Sequence, residues 1–66
     1  MPGKAKLWCE QTRPGEHRLT LRRGFKKSGP IEGTVLYYPR SSASTDGAYD
    51  YLERVARSKG LVIYFN

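Results

Sequence analysis

The chain has one cysteine, one histidine and one tryptophan, and only six acidic residues against twelve basic ones. A single cysteine, Cys9, excludes an internal disulfide framework. Even with the one histidine, His17, it falls short of the four ligands of a structural zinc site, so no metal is expected. The staples of very small secreted domains are therefore missing, and a reducing, cytoplasmic setting is expected. Cys9 then reads as a small hydrophobe of the core. No segment reaches the ~18 apolar residues of a membrane span, so no membrane partner is expected. Residues 1–6 carry Lys4 and Lys6 with no apolar stretch after them, which is unlike a signal peptide.

Catalytic motifs are lacking too. Gly24, Gly29 and Gly33 do not stand between a strand and a helix, so they punctuate loops rather than cradle a phosphate, and no cofactor is expected. No Ser/His/Asp set is legible. One arrangement of ribonuclease type is conceivable, with His17 as acid or base, Arg18 or Arg22 stabilising phosphorane charge and a tyrosine assisting. A strand-end histidine is more often a plain surface residue, and no enzyme is expected.

What the chain does have is positive charge, and it is concentrated. Residues 1–40 hold Lys4, Lys6, Arg13, Arg18, Arg22, Arg23, Lys26, Lys27 and Arg40 against Glu10, Glu16 and Glu32. Residues 41–66 balance Arg54, Arg57 and Lys59 against Asp46, Asp50 and Glu53, so the net +6 lies wholly in the first forty. Such asymmetry points to a polyanionic or acidic partner.

Sixty-six residues allow one domain, 1–66. A core of that size is worth roughly 3–5 kcal/mol. Residues 4–10 alternate, Ala5/Leu7/Cys9 against Lys4/Lys6/Trp8/Glu10, as in a half-buried strand. Pro14-Gly15 then marks a turn, and residues 17–25 alternate again, with Leu19 and Leu21 opposite Arg18, Thr20 and Arg22. Residues 31–38 read as a third strand whose inward face is ambiguous, since Val35/Tyr37 and Leu36/Tyr38 are both apolar.

A helix is expected over about 45–59, with Ala48, Leu52, Val55, Ala56 and Lys59 along one side and Thr45 or Asp46 as N-cap. Its expected supports are the pairs Asp50–Arg54 and Glu53–Arg57 and Gly60 as the residue past its end, while Tyr49 is expected on the outer side. Residues 61–65 read as a last strand, apolar enough to be covered on both faces. The order β-β-β-α-β implies an α+β fold, a small antiparallel sheet with one helix on one face.

One helix covers one face of a sheet. The opposite row then holds Lys4, Lys6, Trp8, Arg18, Thr20 and Arg22, joined in this reading by Tyr37 and Tyr64. Arg22, Arg23, Lys26 and Lys27 add a second basic cluster at the strand end. Lysine and arginine neutralise phosphates, and aromatic rings stack on bases. The expected function is nucleic-acid binding, DNA or RNA, through Lys4, Lys6, Trp8, Arg18, Arg22, Arg23, Lys26, Lys27 and Tyr37, by a monomer or a homodimer. The plainer alternative is that these are ordinary residues of a solvated sheet face. The functional alternative is a stand-alone regulator or inhibitor, an accessory protein of mobile-element or phage type, that docks its cationic face on an acidic protein surface. Three strands and a helix also occur in small DNA-binding domains that lay a sheet in the major groove, but the extra C-terminal strand departs from that layout.

Overall fold

Leu19, Leu21 and Leu52 are the largest side chains wholly removed from solvent, and the fold is the arrangement that brings them together. The computed structural model describes residues 3–65. Along the chain come β1 (Gly3–Arg13), β2 (Glu16–Arg23), β3 (Ile31–Tyr37), α1 (Ser42–Ser58) and β4 (Leu61–Tyr64). They form one four-stranded sheet in the order β3-β2-β1-β4, with α1 against one face. The class is α+β, as the sequence implies.

The hairpin of β1 and β2 is closed by Pro14-Gly15, with Gly15 at φ +82. Proline presets the first turn residue and glycine accepts the positive φ of the second, the pairing a type II turn requires. Thr12 is an extra residue in the ladder, which steps from Gln11↔His17 to Arg13↔Glu16.

The sheet is mixed rather than antiparallel, because β4 runs parallel to β1. The cause is the crossover. A helix of 17 residues is about 25 Å long and β3 of seven about 23 Å, so α1 returns the chain to the end where β3 began. The next strand must then run the same way as β3. It adds at the far edge, beside β1.

The pleat settles the ambiguous third strand. Leu19↔Val35 and Leu21↔Gly33 put Gly33, Val35 and Tyr37 in the row under the helix, and leave Thr34 and Leu36 on the open face. Gly33 is needed there, since a Cβ would stand 3.0 Å from Leu52 Cδ2 and 3.3 Å from Val55 Cγ1. In β4, Leu61 and Ile63 turn inward while Val62 and Tyr64 are exposed, so this strand is covered on one face only. The core is Ala5, Leu19, Leu21, Tyr37, Ala48, Leu52, Ala56 and Leu61.

The helix departs from expectation at its start. It begins at Ser42, not 45, and its N-cap is Ser41, in a reciprocal capping box with Ser44. No acid lies in its first turn, and neither Asp50–Arg54 nor Glu53–Arg57 is paired among the described residues. Tyr49, expected on the outer side, packs on the core, while Tyr51 is exposed. The other end is as expected, with Gly60 at φ +69 just past the cap residue Lys59.

Candidate nucleic-acid interface

The face of the sheet opposite α1 is covered by no element among the described residues. Its rows follow from the register. Lys4 stands beside Val62, Lys6 between Arg22 and Tyr64, Trp8 beside Thr20 and Thr34, and Glu10 beside Arg18 and Leu36. Cations outnumber carboxylates here, and the two carboxylates on the β1 and β2 rows of this face are each tied to an arginine, Glu10 to Arg18 at 3.6 Å and Glu16 to Arg13 at 3.3 Å.

The lysines are seated on aromatic rings. Lys6 Nζ lies 4.7 Å from the Trp8 ring centroid. Lys4 Nζ lies 5.6 Å from that of Phe25 and 5.9 Å from that of Tyr64. Phe25 and Tyr64 meet edge to face, centroids 5.5 Å apart, and remain 51% and 45% exposed. Cation–π contact of this kind holds an ammonium in place at an exposed site without neutralising it. Neither Lys4 nor Lys6 has a carboxylate partner among the described residues.

Beneath this layer the face is packed. Thr20 points away from the helix and is still only 3% exposed, closed over by its register neighbours Trp8 and Thr34. The Trp8 indole N–H is buried with no hydrogen-bond partner among the described residues.

Phe25 reaches this face because the chain turns sharply after β2. Gly24 adopts φ +83 and its N–H donates to the Lys4 carbonyl. The loop that follows is fixed at three points. Arg22 Nη1 donates to the Gly29 carbonyl at 2.7 Å, Gly29 N–H donates to the Lys26 carbonyl, and Arg23 N–H donates to the Pro30 carbonyl. Lys26 and Lys27 are exposed on this braced loop, in none of the ion pairs of the described residues.

The structure thus brings Lys4, Lys6, Trp8 and Arg22 together on the open face, with Arg18 at its far end and Lys26 and Lys27 on the adjoining loop. Two of the expected residues are elsewhere. Tyr37 lies on the helix side, 9% exposed, in edge contact with His17 and with its hydroxyl 3.6 Å from Cys9 Sγ. Val35 and Leu36 are alike in hydropathy, and only the register with β2 tells their rows apart. Arg23 also faces the helix side. It pairs with Glu32 at 3.1 Å, and Glu32 accepts from Lys59 at 3.2 Å, tying the sheet to the helix end. Lys59, Arg23 and their hydrogen bonds hold the Glu32 carboxyl below the usual carboxylate range, against the opposing pull of burial. Glu32 joins that side because it is the extra residue where the ladder steps from Leu21↔Gly33 to Arg22↔Ile31.

Sequence reasoning missed Phe25 altogether. Gly24 before it, expected only to punctuate a loop, was the available signal of a turn. It also missed the group at the hairpin end. There Arg13 binds Glu16 at 3.3 Å and donates to Tyr38 Oη at 3.2 Å, and the Arg40 guanidinium lies 5.2 Å from the Tyr38 ring centroid. The Thr12 hydroxyl is the largest influence holding Glu16 below its ordinary value, followed by Tyr38.

Cys9, expected in the core, is exposed. Its row faces the helix side, but β4 pairs with β1 only as far as Lys6, and α1 rests on β3, β4 and β2. That corner is left uncovered, and Cys9 Sγ lies there 3.7 Å from His17 Nδ1. His17 is on the helix side and Arg18 and Arg22 on the other, so the conceivable ribonuclease set is not brought together. Among the described residues there is no pocket, no group of three or more metal-ligating side chains, and no helix long and apolar enough to cross a membrane. Compared with protein-family models, curated proteins and solved structures, the chain matches none, and the geometry of the open face is what carries its functional reading.

Proposed function

We propose that the chain is a small nucleic-acid-binding module that works through the open face of its sheet in the reducing cytoplasm. The observation that carries the reading is the seating of Lys4 and Lys6 over the rings of Phe25, Tyr64 and Trp8 on an uncovered face. Unneutralised ammonium groups beside the exposed rings of Phe25 and Tyr64 and the half-buried ring of Trp8 supply the two ingredients of the interaction, phosphate neutralisation and base stacking. Lys26 and Lys27 extend the positive surface along a braced loop. Each phosphate contact releases counterions, so affinity for an oligonucleotide falls as salt rises. Lys4→Gln and Lys6→Gln each flatten that dependence. Absence of binding at low salt, or binding indifferent to salt, contradicts the reading.

A second reading, docking on an acidic protein surface, is favoured by the exposed apolar residues Leu36 and Val62 on the same face and Ile31 at its edge. A pull-down with and without nuclease separates the two. A protein partner survives nuclease, whereas a nucleic acid does not.

A further inference from the structure

We infer, resting on the nucleic-acid reading, that the strand bound is single and that Phe25 and Tyr64, with Lys4 between them, are where its bases stack. Two observations favour a single strand over a duplex. The first is the state of the rings. Phe25 and Tyr64 are about half exposed and set at 73° to one another, a step that offers two differently directed surfaces to unpaired bases. Bases inside a duplex show only their edges, which rings cannot stack upon.

The second is the state of the arginines. Reading a duplex needs a guanidinium free to grip a guanine edge with both prongs. Arg22 is drawn back to the Gly29 carbonyl at 2.7 Å, and Arg18 is held by Glu10 at 3.6 Å. The cations left unpaired near the rings are lysines, point charges that neutralise phosphate without reading sequence. From Lys4 to Glu10 the stripe is roughly 20 Å long at ~3.3 Å per residue, a length suited to a short run of nucleotides. The structure therefore favours a single strand bound with little sequence preference.

The test is fluorescence anisotropy with labelled twelve-nucleotide single strands, oligo-dT and oligo-U, against a mixed-sequence twelve-base-pair duplex, all at low salt. The single strands are expected to bind at least ~10-fold more tightly than the duplex. Phe25→Ala and Tyr64→Ala are each expected to weaken single-strand binding by roughly 5- to 150-fold. Phe25→Tyr and Tyr64→Phe keep a ring and keep the affinity. Neither ring belongs to the core, and circular dichroism of each variant checks that the fold is retained. Duplex binding equal to or tighter than single-strand binding, or indifference to the ring truncations, overturns the inference and leaves the nucleic-acid reading in place. No binding of either form overturns both.

Discussion

Tyr37 shows how much a single side chain's address matters. It stands under the helix, where burial first and the contact with the Cys9 thiol second push its hydroxyl up to about 12. The folded form thus keeps its proton where an unfolded tyrosine, near 10, has lost it. Its contribution to stability is complete below pH 10 and is lost as pH rises toward 12. The expected outcome is alkaline destabilisation in that window that is weaker in Tyr37→Phe, read from chemical denaturation at a series of pH values. An equal pH slope in the two proteins contradicts this placement. The same residue marks a limit of sequence reading. Its side of the sheet is decided by pairing with His17, twenty residues away, and not by the apolar pattern around it. Lys4, Lys6, Trp8 and Arg22 were legible because their own strands alternate cleanly.

At the scale of elements, the loop between β2 and β3 is the part on which the interface depends most. Gly29 lies so close to the Arg23 carbonyl that an added Cβ meets backbone, which cannot give way as a flexible side chain would. Gly29→Ala is therefore expected to cost about 1–3 kcal/mol, by analogy with overpacking. It should also weaken oligonucleotide binding by displacing the Arg22 brace and the segment that carries Phe25, Lys26 and Lys27. Thermal unfolding and anisotropy on the same sample check both effects. Unchanged binding would show that this loop plays no part. Five elements in β-β-β-α-β order were legible from alternation, from Pro14-Gly15 and from the helical stripe ending at Gly60. The early helix start was not, because Ser41-Ser42-Ala43-Ser44 has a loop's composition and becomes a helix start only through its capping box. The parallel direction of β4 was not legible either, since it follows from the crossover and not from residues 61–64 themselves.

The whole molecule is a thin assembly, one helix on one sheet. A core of this size supplies roughly 3–5 kcal/mol, so it tolerates little loss. Leu52 is wholly buried at the middle of the helix stripe, and Leu52→Ala is expected to remove about 2–5 kcal/mol and leave much of the chain unfolded at 25 °C. Loss of less than ~1 kcal/mol by denaturant titration would contradict the described core. The charge asymmetry resolves at this scale as well. Glu10, Glu16 and Glu32 are each paired with an arginine, so the net positive charge is carried by the residues left over, chiefly the lysines of the open face and its loop. The most direct measurement is the affinity of the intact protein for a single-stranded oligonucleotide across a salt series, followed by anisotropy and by the fluorescence of Trp8, the only tryptophan. With Lys4, Lys6, Lys26 and Lys27 engaged, the slope of log K against log salt is expected near about −3, and Lys4→Gln lowers its magnitude by ~0.7. A slope near zero, or binding unaltered in Lys4→Gln and Lys6→Gln, would contradict a nucleic-acid interface on this face.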